Sequence, residues 1–160
     1  LINTHHHLYQ YFTRNLRHVQ NLELFDWLTA LYDIWAHLNE DTVRLSSLSG
    51  MGELMKYGCT TCFDHHYVFP NGAGDLLAAQ FSAAEELGIR MVSSRGSMSL
   101  SRKDGGLPPD SVVQTTEEIL RDSRDAIERY HDASDFSMRQ VVLAPCSPFS
   151  VSADLVSESA

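Results

Sequence analysis

Cysteine is scarce, with three residues in 160. An odd and poorly spaced set cannot build a disulfide framework, and it fits a protein of a reducing, cytoplasmic compartment. Long apolar runs are missing too. None approaches the ~18 residues that a membrane-spanning helix needs, and no basic segment leads into an apolar stretch as in a secretion signal. Positive charge is in short supply: 12 Lys and Arg stand against 21 Asp and Glu, a formal charge of −9. That balance argues against nucleic-acid binding, which rests on clustered cations. The chain carries no repeat of fixed period, no low-complexity stretch, no P-loop and no defensible Ser–His–Asp arrangement. What is there is an ordinary globular composition, 43% hydrophobic and 21% charged, on one domain's worth of residues. Leu1-Ile2 opens on a strand and Ala153 to Ala160 on a helix just starting, so residues 1–160 are expected to be an incomplete domain, truncated at both ends.

Punctuation along the chain alternates strands with helices. A strand end over Leu1–Thr4 runs into three histidines. Residues 8–40 are aromatic-rich, with a helix expected around Glu23–Tyr32. Asp41 is the expected N-cap of a helix through Tyr57, with Leu45, Leu48, Gly52 and Met55 on one face and Gly58 as its stop. Cys59–Asp64 reads as a buried strand. Asp75 caps a helix whose apolar side is Leu76, Leu77, Phe81, Ala84 and Leu87, ended by Gly88. Ile89–Ser94 is a third strand, and a Gly/Pro/Ser-rich loop covers Arg95–Ser111. Thr115 and Glu118 make a capping box for a helix to about His131, with a solvated face of Glu117, Arg121, Asp125 and Arg129. Gln140–Ala144 is a fourth strand, Val-rich as when both sheet faces are covered. This order is α/β with a parallel sheet, and fits either half of an eight-unit barrel or a small doubly wound sheet.

Histidines stand where a nucleotide-binding fold would carry glycines. In Asn3-Thr4-His5-His6-His7, strand alternation sends His5 and His7 one way and His6 the other. Two imidazoles two residues apart at a strand's C-terminal end can grip one metal ion, zinc by preference, although a bare H-x-H is equally a polar loop.

Longer segments carry a resemblance. Leu1 to Gln10, the stretch Thr60-Thr61-Cys62-Phe63-Asp64-His65-His66, Arg95 to Leu100 with Gly105 to Ser111, and Ala144-Pro145-Cys146-Ser147-Pro148-Phe149-Ser150 together resemble the amidohydrolase superfamily. The likeness is to its branch of cytosine, guanine and 8-oxoguanine deaminases and triazine hydrolases, with the 8-oxoguanine deaminase group most similar. The resemblance implies strands 1–4, with their helices, of a (β/α)₈ TIM barrel. It implies a zinc-dependent aminohydrolase in which a metal-activated water attacks the amine-bearing carbon of a purine-type ring and ammonia leaves. By this match His5 and His7 are metal ligands, and Gln10 is a substrate contact whose amide pairs with a base edge. Guanine deaminases have an arginine near the end of strand 4, where this chain has Cys146 and Ser147. That favours the 8-oxoguanine type and makes those two residues expected substrate contacts. The family's other ligands, a His on strand 5, a His on strand 6 and an Asp on strand 8, have no counterpart here, nor has its His-x-x-Glu segment. Alternatives are another hydrolase of the branch, acting on a triazine, cytosine, guanine or pterin, or a catalytically incomplete fragment.

Other candidates are weaker. Arg95 either contacts a substrate carbonyl or carboxylate or holds the long loop by an ion pair. Of the pair after strand 2, His65 is expected to be a polar loop cap and His66 an open candidate for substrate contact. Cys59-x-x-Cys62 is expected to be buried structural cysteine. Trp27, Tyr32 and Trp35 are expected to pack a loop onto the barrel rather than to form a lid, and His18, His37 and His131 to be surface or loop residues. Expected partners are a small heterocyclic substrate and water, with no nucleic acid and no membrane, and a homo-oligomer of the longer parent left open.

Overall fold

The computed structural model describes all 160 residues. Four strands, β1 (Ile2–His6), β2 (Thr61–Asp64), β3 (Arg90–Ser97) and β4 (Arg139–Pro145), form one parallel sheet in the order β1-β2-β3-β4. Sequential neighbours in a parallel sheet need crossovers, and helices supply them. α1 (Leu24–Trp35) and α2 (Glu40–Lys56) join β1 to β2, α3 (Leu76–Leu87) joins β2 to β3, and α4 (Thr116–Tyr130) joins β3 to β4. α5 (Ala153–Glu158) follows β4. No helix is long and apolar enough to cross a membrane.

The caps follow local chemistry. Asp75 accepts from the Ala78 N–H, and Thr115 forms its capping box with Glu118. Gly58 and Gly88 adopt the left-handed conformation just past α2 and at the end of α3, where a side chain would be strained. α2 departs from expectation. Its N-cap is Asn39, two residues before Asp41, in a capping box with Thr42. Its buried side is Val43, Ser46, Ser47, Gly50 and Met51, whereas Leu45 is half exposed. Small residues won that side because the helix lies close against the 3₁₀ segment Leu8–Thr13. A Cβ on Gly50 would strike the Leu8 side chain at 2.7 Å.

Two cores result. One lies between the sheet and α2–α4, built on Met51, Cys62, Phe81, Ile89, Met91 and Val141. The other packs α1 and the β3–α4 loop over the strand ends, with Tyr9, Leu31, Tyr32, Trp35, Val68 and Met98 at its centre. Trp35 and Tyr32 are thus core residues, as expected of a packed loop. The helices cover one face of the sheet. The other is bare within this chain, so Ile2 is 70% exposed and Val142 and Ala144 are only half-buried. The expectation that both faces of β4 are covered does not hold here.

Candidate metal centre

The site starts from an irregularity in β1. The pairs Ile2–Thr61 and Asn3–Cys62 are in register, and pairing resumes at His6–Asp64. From Asn3 to His6 is three steps, from Cys62 to Asp64 only two, so β1 carries one extra residue. Such a bulge reverses the alternation of side chains beyond it. Cys62 and Asp64 are buried on the helix side. Without the extra residue His5 and His7 would follow Asn3 to that side. With it, they turn to the open face and His6 turns back toward Arg14 and Glu53 of the helix layer.

On the open face the two imidazoles converge, with His5 Nε2 3.2 Å from His7 Nε2. His7 donates its Nδ1–H to the His65 carbonyl at 2.8 Å, which fixes the tautomer and leaves Nε2 as the free donor atom. Burial pushes the His7 pKa down to about 4, so the ring is neutral at pH 7, the form that binds a metal. Two nitrogens on one tetrahedral zinc, each about 2.0–2.1 Å from it, stand about 3.3 Å apart. The observed spacing and chemistry therefore suit a shared metal. No third His, Cys, Asp or Glu of this chain completes a metal-holding group.

The surroundings are aromatic. His65 stacks on His5 with centroids 4.3 Å apart and on Phe63 at 4.4 Å. Tyr67 meets His7 edge-on at 5.5 Å. Gln10 lies with His5, His6 and His7 in an open hollow of about 270 Å³, its amide 3.2 Å from the Tyr9 hydroxyl. Cys146 sits at the end of β4 near Tyr67 and Tyr32. Burial raises its thiol pKa, which fits a contact residue better than a nucleophile. Ser147 begins the turn after β4, its hydroxyl 3.0 Å from that of Ser150.

Two expected substrate contacts lie elsewhere. His66 is fully buried on the helix side, with Nε2 3.0 Å from the Val68 carbonyl and Nδ1 3.3 Å from the Gln80 amide. It is His65, expected to be a loop cap, that joins the histidine pair. Arg95 is 3% exposed and also faces the helices. It stacks over Phe69, bonds to Gln114 at 2.6 Å and pairs with Asp122 at 3.6 Å. This is the loop-holding ion pair rather than a group at the open face. The strand period decides both positions, because residues one apart, like His65 and His66, must part company.

A model of the amidohydrolase family matches residues 1–160. The chain belongs to the amidohydrolase family. It is 49% identical to 8-oxoguanine deaminase of Pseudomonas aeruginosa over 160 residues, all of this chain and 36% of that protein. It is 40% identical over 151 residues to hydroxydechloroatrazine ethylaminohydrolase of Pseudomonas sp. (strain ADP), 92% of this chain and 31% of that one. Among solved structures, atrazine chlorohydrolase from Arthrobacter aurescens TC1 complexed with zinc matches with a TM-score of 0.90 at 29% identity. The match covers 97% of this chain and 36% of the other. The chain thus spans about a third of the length of these amidohydrolases, and its four strands and helices are a fragment of their barrel. The family relatives are enzymes named as deaminases and hydrolases.

Proposed function

We propose that this chain is the first four strands of the catalytic barrel of a zinc-dependent deaminase acting on a purine-type heterocycle, 8-oxoguanine before others. The observation that carries the proposal is the 49% identity to 8-oxoguanine deaminase, sustained over the whole chain. The convergence of His5 and His7 at 3.2 Å supports the metal. The zinc in the similar chlorohydrolase structure supports its identity.

In this proposal His5 and His7 hold zinc through Nε2. When bound, zinc supplies Lewis-acid chemistry, bringing the pKa of water toward 7 so that a nucleophile exists at neutral pH. The chain's own residues orient and recognise. The His65 carbonyl holds His7 in the right tautomer. Gln10 offers an N–H donor and a carbonyl acceptor to one edge of the base. Cys146 and Ser147 take the opposite edge, where a small neutral pair leaves room beside a ring carbonyl. The Phe63–His65–His5 stack gives a flat wall against which a planar ring packs. Water is the second substrate and ammonia a product. Three free cysteines support a cytoplasmic setting.

The test is His5→Ala and His7→Ala in the complete enzyme, with zinc content and ammonia release from 8-oxoguanine measured together. Each variant is expected to lose zinc and at least about 10³-fold in turnover, since a metal's contribution is several kcal/mol. Full zinc occupancy in either variant overturns the metal assignment. The 40% identity to an ethylaminohydrolase favours a second reading, hydrolysis of an aminotriazine. A panel of purines and triazines decides between them: faster turnover of a triazine overturns the purine reading.

A further inference from the structure

The bulge that turns His5 and His7 to the open face interrupts the β1–β2 ladder, and something must replace the lost bonds. One replacement is a side chain. Asp64, fully buried on the helix side, accepts the Leu8 backbone N–H on Oδ1 at 2.6 Å. Leu8 is the residue after His7 and the first of a 3₁₀ segment whose N-cap has no side-chain bond of its own. The Asp64 carboxylate therefore caps that segment from the neighbouring strand. Its other oxygen accepts the Gln80 amide at 2.5 Å.

Hydrogen-bond roles propagate from there. His66 donates from Nε2 to the Val68 carbonyl, so its Nδ1 must accept, and the donor facing it is Gln80 Nε2. Gln80 then spends one N–H on Asp64 and the other on His66, and its carbonyl accepts from the Ser93 hydroxyl at 2.5 Å. Every group is satisfied in one arrangement only, with both Asp64 oxygens accepting. A buried network with a single solution is rigid. It links the 3₁₀ segment after β1 to β2, α3 and β3, and its free end holds the backbone next to His7.

We infer that Asp64, locked by Gln80, is a positioning residue for the histidine pair: it fixes the backbone at Leu8 and thereby the convergence of His5 and His7 on one metal ion. The inference rests on the zinc reading above. Asp64 itself stays behind the sheet and touches neither metal nor substrate. Its effect runs through the backbone, as outer partners of metal ligands act, and such partners are worth about 10–100-fold in metal affinity.

Asp64→Asn keeps size and shape but puts an N–H₂ against the Gln80 N–H₂. Zinc affinity of the complete enzyme is measured by chelator competition, beside the thermal midpoint and the separate values of kcat and KM. Asp64→Asn is expected to weaken zinc binding about 10–100-fold, and to lower kcat more than it raises KM even at saturating zinc. Ile89→Val, a buried methyl deletion in the same core, serves as the control for lost stability. It is expected to lower the midpoint and leave zinc affinity unchanged. If Asp64→Asn lowers the midpoint but binds zinc like the wild type, Asp64 supports the fold alone and the inference fails. If Ile89→Val weakens zinc as much as Asp64→Asn does, affinity follows stability and the inference fails too. The zinc reading has its own signature. If His5→Ala retains zinc, that reading fails, whatever Asp64→Asn does.

Discussion

The two faces of this sheet are made by the same strands and behave differently. On the helix side, most of the buried polar groups are partnered: Asp64, Gln80, Ser93 and His66 close into one network, and Arg95 is held by Asp122 and Gln114, while Asn3 Oδ1, His6 Nδ1 and Ser47 Oγ are buried without a partner. On the open side, His5, His7, His65 and Phe63 meet ring against ring, and the two Nε2 atoms have only each other, the His65 carbonyl being taken by His7 Nδ1–H. His65 and His66 are neighbours in sequence and sit on opposite faces. One face spends most of its polar groups on its own chain; the other turns two imidazole Nε2 atoms outward. That difference separates a scaffold from a site.

The sharpest break in the comparison would come where the backbones approach most closely. Gly96 of β3 donates to the His66 carbonyl at 2.9 Å, and a Cβ there would overlap both that carbonyl and the backbone of Tyr67. Gly96→Ala is expected to cost about 3 kcal/mol, read by urea unfolding. It is also expected to displace Tyr67 from His7, read as altered tyrosine fluorescence. A tolerated alanine with wild-type stability would show that the two strands are not clamped at this point.

Exchanging one histidine at a time compares the faces directly. His66→Ala leaves a cavity and unpairs one of the two Gln80 Nε2 N–H groups, and is expected to cost about 2–5 kcal/mol. His65→Ala, on the open face, is expected to cost under about 1 kcal/mol. Equal losses in unfolding experiments would erase the distinction.

The smallest effect is a pair of slopes. Burial raises the Asp64 pKa from 3.8 to about 7, so the folded state binds more protons than the unfolded one between those values, and this group's stability contribution falls as pH rises from about 4 to 7. Burial lowers the His66 pKa from 6.5 to about 3, so the unfolded state binds more protons there, and stability rises from about pH 3 to 6.5. The two oppose each other in one network. Asp64→Asn is expected to steepen the loss of stability in acid, and His66→Gln to reverse it. Parallel slopes in the two variants would refute the opposition.

Much of the fold was legible in local signals. Caps at Asp75 and Thr115, stops at Gly58 and Gly88, and the alternation of short apolar runs with helical periods were enough for the parallel α/β order. The resemblance in the four strand-end segments was enough for the amidohydrolase barrel. α2 was misjudged on part of its face because residues such as Leu45 and Met55 look like the buried side until a partner is known, although Leu48 does pack against the core. Close packing against Leu8 rewarded serine and glycine instead. His66 was misplaced, and Arg95 was left between a substrate contact and the ion pair it makes, because strand ends are where a site is expected, and a sequence does not say which face a given residue takes. His65 was passed over for the same reason. The available signal was parity: one residue on from Asp64, His65 belongs to the opposite face from any residue packed on α3.

The sequence by itself determined the order of elements, the family and the presence of an imidazole pair at the end of β1, because these depend on residue type and on neighbours a few positions away. Only the tertiary structure decided which face the pair serves. One extra residue in β1, opposite Phe63, reverses the alternation, and its placement depends on hydrogen bonds to a strand some 58 residues along the chain. No local pattern records such a register, because it is fixed by the partner strand.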